Sequence, residues 1–417
     1  MNLVYVAPFG LAPKNTTKRR LLPMARAMAA RGHHVRVVVP PYDDHASYGR
    51  VWTDAGVDVT CLAAPRLGGP AGPGAAFAQF SLARQALRRL AGWQPDLVHV
   101  FKPKAVSGLI QTGLWRRRHR PPLVLDTDDW EGREGWSVYE DYPPWLVWMF
   151  DRQERAGLRR CDAITAASRE LADRARALPR PVPVLHLING YDPGAYARWN
   201  SVSDRVAGRR ALGLKADDRA ALVYTRFFEY PIEHWARVIR GVAARAPDVR
   251  FIVLGAGKFG QEKDLAADLR VAGLADRVNF LGWVVFDDLA AILAAADVAL
   301  LPMTDVRANR AKCSVKYVDL MMAGVPVVAT PVGETTAYVI DGATGVLAAD
   351  DSPEAMVAAT VRGLDLSDRA ALVAQARAHV MSVLTWERLT EPLVEIYQTL
   401  LDRRAPTPPL FDAGSSA

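Results

Sequence analysis

The amino-acid sequence predicts an α/β protein of two Rossmann-like, doubly wound parallel-sheet domains facing across a cleft. Three observations carry that expectation. Short apolar runs alternate with amphipathic helical patterns from end to end, the pattern of β-α-β units. The runs at 3–7 and 123–126 are apolar at nearly every position, as strands buried on both faces are. The alternation stops in a polar stretch at roughly 198–218 and then restarts, so there are two series. A length of 417 residues suits two or three domains at roughly 150 residues each.

In order, the first series places strands at 3–7, 35–39, 57–63, 97–100 and 123–126, with helices at 18–30, 76–91 and 105–119. Pro40-Pro41 closes the second of these strands. After Asn189-Gly190-Tyr191-Asp192-Pro193 comes a linker near 195–205. The second series has strands at 221–225, 249–254, 278–281, 298–301 and 325–329, then a last helix at 386–401. The expected division is therefore 1–197 and 205–384, with 385–403 as a helix returning toward the first domain and 404–417 as a disordered tail. The Pro/Gly-rich stretch 65–76 reads as a surface loop. In such sheets ligands bind beyond the carboxyl ends of the strands, so chemistry belongs in the loops that follow them.

Composition narrows the class. Half the residues are hydrophobic and 23% are charged, which excludes a mostly disordered chain. Charged residues interrupt every apolar run before the roughly 18 residues of a membrane span. The first residues enter an apolar strand with no basic region before it, unlike a secretory signal. Cys61, Cys161 and Cys313 stand far apart, which argues against a disulfide framework or a zinc site and for a cytoplasmic protein. Residues 1–200 carry 28 Lys+Arg against 18 Asp+Glu, a net +10, whereas the remainder, with 24 against 27, is −3. A basic first half is open to an anionic acceptor or lipid.

Gly255-Ala256-Gly257-Lys258-Phe259-Gly260 spells the dinucleotide fingerprint after a strand, but the acidic residue ending the next strand is missing. What survives is backbone that can approach a phosphate at a helix N-terminus, at Gly255 and Gly257. The segment from Lys312 to Thr330 is the most informative. Lys316 and Asp319, spaced i, i+3, share a helix face; they are either a surface pair or a ribose-binding carboxylate beside a phosphate-binding lysine and a helix start at Ser314 or Lys312. Asp126-Thr127-Asp128 spells D-x-D, a metal-diphosphate pattern that equally occurs as a strand-ending acidic loop without metal. The cluster Arg116-Arg117-Arg118-His119-Arg120 reads first as a solvated helix end and second as a lipid-facing patch; no element for reading nucleic acid accompanies it. Trp145, Trp148 and Met149 form one helical face, read first as core and second as an acceptor groove or membrane contact. The serine-hydrolase, zincin and P-loop motifs are absent, and Cys313 reads as a packing residue.

The 312–330 segment, with Gly333-Glu334, Asp341-Gly342 and Gly345 after it, resembles the donor-site signature of GT-B glycosyltransferases, specifically glycosyltransferase family 4. Other stretches agree in order: Arg31-Gly32-His33-His34-Val35, Pro95-Asp96-Leu97-Val98-His99, Leu187 through Asp192, Thr225-Arg226-Phe227, Val278-Asn279-Phe280-Leu281-Gly282, Thr385-Trp386-Glu387 and Ile396-Tyr397. Together they cover about 1–402. The resemblance implies an acceptor-side first domain, a nucleotide-sugar donor domain after it, and metal-independent hexosyl transfer with retention. The nucleotide sugar is a substrate, and no cofactor is expected.

It also assigns residues. Asp319 falls at the second Glu of the family's E-x7-E motif, which binds the ribose. Arg226 falls at the Arg that neutralises the leaving diphosphate, helped by Lys316 and the amides near Ser314. Trp283 and Val284 fall in the loop that meets the base, and Gly10 and Thr16 in the N-terminal loop facing donor and acceptor. Three departures stand out. Ala311 replaces the first Glu of E-x7-E, the Lys usual after Arg226 is missing with His234 the nearest basic group, and Asp128 or Asp129 stands where many members have His. The acceptor expected is a glycan, a lipid-linked or a small molecule, with peripheral contact to an anionic membrane through the basic first domain. Two alternatives are a catalytically impaired scaffold acting as a nucleotide-binding or partner protein, and a different cleft enzyme such as an epimerase or NAD-dependent oxidoreductase.

Overall fold

A computed structural model describes residues 1–65, 72–215 and 217–403. The first half holds an eight-stranded sheet: β1 (Asn2–Val6), β2 (His34–Val39), β3 (Val51–Asp54), β4 (Val57–Cys61), β5 (Leu97–Phe101), β6 (Leu123–Thr127), β7 (Ala163–Ala166) and β8 (Val184–His186). Their order is β3-β4-β2-β1-β5-β6-β7-β8, parallel except for the β3–β4 hairpin. That hairpin turns through Ala55 and Gly56, both at positive φ, as a two-residue turn between twisted strands requires. The second half holds six parallel strands, β9 (Arg219–Tyr224), β10 (Val249–Leu254), β11 (Val278–Gly282), β12 (Val298–Leu301), β13 (Val327–Ala329) and β14 (Val346–Leu347). Their order is β11-β10-β9-β12-β13-β14.

Each sheet is a double-wound layer with apolar clusters on both faces. The strand order reverses between β1 and β5 in the first sheet and between β9 and β12 in the second. Crevices open at those reversals, so the loops after these four strands are where a ligand is expected. They carry Gly10, Lys102, Arg226 and Thr304. Among the described residues no helix is long and apolar enough to cross a membrane.

Several expectations are corrected. The polar stretch at 198–218 is largely the helix Ser201–Ala211, started by Asn200, whose side chain accepts from the amides of Val202 and Ser203. Gly208 lets it lie against Ala291, where a Cβ would come within 1.8 Å of a carbonyl oxygen. The expected loop at 65–76 is already helical from Gly72; its residues 66–71 and the tail 404–417 lie outside the described residues. The helix expected at 18–30 begins as a π-helical turn, Thr17–Leu21, before the regular Leu22–Ala30. The tryptophan face is not core: Trp145 is 65% and Trp148 52% exposed. The helix Pro144–Arg159 buries Phe150, Glu154, Gly157 and Leu158 instead, an i, i+4, i+7, i+8 stripe that leaves positions 145 and 148 outside.

The last helix is two, Trp386–Leu389 and Glu391–Asp402. Trp386, Leu393, Tyr397 and Leu400 are buried in the first sheet's core, so the last described helix lies on the half where the chain began. The Tyr397 hydroxyl lies 2.8 Å from that of Tyr5 and 2.7 Å from His99 Nδ1. Two chain crossings join the halves, and they are tied together: Tyr191 donates its amide to Leu384 at 2.6 Å and accepts from that of Trp386 at 3.3 Å.

Candidate functional site

On the second sheet the site starts in the turn after β9. Phe227 adopts φ +63°, and its amide donates to Thr225 Oγ1 at 2.8 Å. This left-handed step is costly for a phenylalanine and fixes the direction of Arg226. Gly255, after β10, lies so close that a Cβ would come within 1.9 Å of the Thr225 oxygen, so only glycine fits. Arg226 then extends over the rings of Trp136, at 5.2 Å, and Phe228, at 5.9 Å.

Lys316 opens the helix Lys316–Ala323, and its amide is capped by Ser314 Oγ at 3.3 Å. Its ammonium donates to the Tyr224 carbonyl at 3.1 Å. Burial lowers the Lys316 pKa to about 8; Arg226 and Lys312 act in the same direction and Glu229 opposes them. Lys312, itself buried, lies 3.3 Å from Glu229 and 4.7 Å from the centre of the Trp136 ring. Burial works to raise the Glu229 carboxyl, but Lys312, Lys316 and Arg226 outweigh it and hold the group far below the carboxylate range.

One turn further along the same helix, Asp319 is 3% exposed, so the surface-pair alternative falls away. It accepts from Arg19 at 2.5 Å and from the Tyr196 hydroxyl at 2.7 Å. Arg19 comes from the π-helical turn of the first half and lies 4.7 Å from the Phe286 ring centre. The turn and the residue before it reach three carboxylates, Asp319 being the first. Thr16, just before it, donates to Asp128 at 3.1 Å, and Arg20 grips Asp126 with two bonds of 2.8 and 2.7 Å. π-helical turns recur at functional sites because they redirect consecutive side chains.

The first half supplies the opposite wall. Lys102 reaches Asp128 at 3.0 Å, Asp129 at 2.6 Å and Glu131 at 3.1 Å, while Lys104 pairs with Glu131 at 2.6 Å. Burial raises Asp128 to about 6, more than the Lys102 charge lowers it. The acids of the D-x-D pattern are already engaged. Both Asp126 oxygens are taken by Arg20, one also by Thr165 at 2.7 Å, and Lys102 stands at the centre of the remaining acids where a cation would sit.

Of the sequence-expected residues, Arg226, Lys316 and Ser314 form one cluster, Thr16, Asp128 and Asp129 a second, and Arg19 links the second to Asp319. Three expectations need revision. The Gly10 amide is already donated to Asp43 at 2.8 Å and the Gly257 amide to Glu262 at 2.9 Å, so neither presents a free N–H. Trp283 projects into solvent beside an edge strand, 64% exposed, whereas Val284 packs on the core. Sequence reasoning missed Arg19, Tyr196, Lys102, Glu229 and Trp136 and gave Lys312 no charge role. Lys312 had a signal, as the first residue of the informative segment; the others meet the site through contacts of up to 300 positions.

The halves meet around this site. Lys258 pairs with Glu140, Arg307 with Glu134, and Arg310 with Glu170. Between them opens a cavity of about 550 Å³, lined by Tyr139, Glu140, Phe227, Phe228, Phe259 and Thr304.

Comparison with known proteins gives a consistent picture. Residues 15–190 match the family described as glycosyl transferase 4-like domain, and residues 222–365 match glycosyl transferases group 1. A D-inositol 3-phosphate glycosyltransferase of Mycobacterium marinum is 30% identical over 237 residues, 55% of this chain and 48% of that protein. Its counterpart in Geodermatophilus obscurus is 31% identical over 250 residues, 57% and 52% of the two chains. The chain thus spans about half the length of the curated relatives it matches. A sucrose-phosphate synthase from Thermosynechococcus elongatus superposes with TM-score 0.73 at 19% identity, covering 97% of this chain and 100% of its own. Anabaena HepE, in complex with UDP and glucose, does so with TM-score 0.65 at 19% identity, covering 98% and 100%. These two likenesses speak to the fold, which is GT-B.

Proposed function

The chain belongs to the group 1 glycosyltransferases of GT-B fold, and from that premise we propose that it moves a sugar from a nucleoside-diphosphate sugar to an acceptor hydroxyl. One observation carries the reading. At the strand-order reversal of the second sheet, Arg226, Lys312 and Lys316 gather around the Glu229 carboxylate, one helical turn from the buried carboxylate of Asp319. Three cations with so little counter-charge suit a diphosphate, and a buried carboxylate suits two vicinal ribose hydroxyls.

In this reading Asp319 exchanges Arg19 and Tyr196 for the ribose. Arg226 and Lys316 stabilise the charge that develops on the leaving diphosphate. The acceptor hydroxyl attacks from the face that the diphosphate leaves and gives its proton to the departing phosphate oxygen, which retains the anomeric configuration. Asp128 and Asp129 position the sugar or acceptor hydroxyls, and closure of the halves excludes water. Positive side chains perform the work a metal ion does elsewhere. An inositol 3-phosphate acceptor, as the relatives' name has it, is disfavoured, because Lys102 and Lys104 are already paired with acids. Exposed Trp145 and Trp148, the latter under Arg152 at 5.7 Å, support an acceptor presented at an anionic membrane surface.

Calorimetric titration of the wild type and Asp319→Ala with UDP, GDP, ADP and dTDP tests the reading. It expects one of them to bind at micromolar strength and to bind less tightly in the variant. Binding of none would overturn it. A second reading, nucleotide binding without transfer, has its own observation: Ala311 is fully buried against Ala166, Leu171 and Ala172, which leaves no room for the family's first Glu. Tight nucleotide binding with no nucleotide release from any donor sugar would favour it.

A further inference from the structure

Lys312 is unusual among the cations of the cleft. It is 8% exposed, yet its ammonium makes no hydrogen bond within the described residues; its contacts are the ion pair with Glu229 and the faces of Trp136 and Tyr139. A buried ammonium without a hydrogen bond is a costly arrangement, and it persists where an anionic partner is expected. Glu229 Oε2 is likewise buried and has no hydrogen-bond partner among the described residues. Its backbone oxygen is held by Asn309 Nδ2 at 2.9 Å and by the Thr304 amide at 3.0 Å, so the carboxylate is placed by its loop. The rings over Lys312 come from the first half, and Trp136 also covers Arg226. One aromatic surface therefore lies across both cations.

We propose that Lys312 is a diphosphate-binding residue, paired with Glu229 until the ligand arrives and transferred to the ligand when it binds. The inference rests on the nucleoside-diphosphate reading above and deepens it. Lys312 supplies the second cation that the chain lacks in the stretch following Arg226, from a different loop. Glu229 is then the stand-in anion that the diphosphate replaces, and no bond is made or broken in the exchange.

The test uses the full-length chain and three probes: inorganic pyrophosphate, the nucleoside diphosphate that the wild type binds best among UDP, GDP, ADP and dTDP, and the matching monophosphate. Lys312→Met is expected to weaken pyrophosphate and the diphosphate roughly tenfold while leaving the monophosphate within about twofold. Lys312→Arg should restore most of the loss. Glu229→Gln removes the competing carboxylate and should tighten the diphosphate several-fold; it provides an independent arm if Lys312→Met fails to fold. Unchanged diphosphate affinity in a folded Lys312→Met protein, or in Glu229→Gln, overturns the proposal. If Arg226→Ala weakens binding in that same series, the diphosphate reading survives without Lys312. If the wild type binds none of the probes, the reading beneath has failed.

Discussion

The two walls of the cleft carry opposite charge patterns, and neither follows the charge of the half that bears it. Residues 1–200 are net +10, yet their wall sets Lys102 and Lys104 among Asp128, Asp129 and Glu131. The remainder is −3, yet its wall gathers Arg226, Lys312 and Lys316 about Glu229. Net charge is a property of the solvated surface, where Arg is plentiful; a site is made of the few charges the fold takes out of water. The first wall's cations are paired with its own acids, so it suits hydroxyls. The second is left with positive charge to spare, so it suits an anion.

The contrast can be broken at its strongest point by Lys102→Met. This leaves three acids in a buried wall short of their main counter-charge and should cost about 3 kcal/mol of stability, seen as a lowered urea midpoint. Unchanged stability would mean that the wall does not depend on that pairing. Next in size, Arg226→Ala should reduce kcat/KM for donor transfer roughly a hundredfold with little change in thermal stability, since the second wall holds its cations for a ligand and not for the fold.

A pH series sharpens the comparison further. The Lys316 pKa, lowered by burial to about 8, puts its loss of charge within reach, so diphosphate affinity should fall as pH rises through 8. Stability should move the other way. The folded lysine gives up its proton near 8 and the unfolded one near 10.5, so the unfolded chain binds more protons in between and stability rises across that window. Lys316→Arg should flatten both trends. The smallest effect belongs to Asp128. Its folded carboxyl titrates near 6 against an ordinary 3.8, because burial penalises its charge. That penalty is absent below 3.8 and fully present above 6. Asp128→Asn should therefore stabilise the protein at pH 7 by about 1 kcal/mol or less and leave no difference at acidic pH, measured by chemical denaturation.

Much of the fold was legible because buried parallel strands write themselves as continuous apolar runs; 249–254 and 298–301 coincide with β10 and β12. The strands that escaped are short: β3 and β7 have four residues each, β8 has three and follows Pro181 and Pro183, and β14 has two. Strands of this length carry too few side chains to show a period. In the site, helix spacing placed Lys316 and Asp319 correctly together, and the glycine at 255 reflected a real close approach. What spacing could not supply was the partner of each charge. Asp319 meets Arg19 and Lys312 meets Trp136 only because two halves far apart in sequence meet across the cleft, and Gly10 and Gly257 lost their amides to acids that look unremarkable in the sequence.

The tie between the two chain crossings has a mechanical consequence. Two domains joined by a single strand of backbone can twist and swing about several axes. Here the outgoing chain at Tyr191 and the returning chain at Leu384–Trp386 are bonded side by side, and the returning helix is anchored by buried Trp386 and Tyr397. A joint of that kind keeps one easy rotation, the one that leaves the paired backbones together, and stiffens the rest. Were the cleft to open and shut about this joint, Trp136 and Tyr139 would return to the same place over Lys312, and Trp136 over Arg226, so the fold would carry its own alignment.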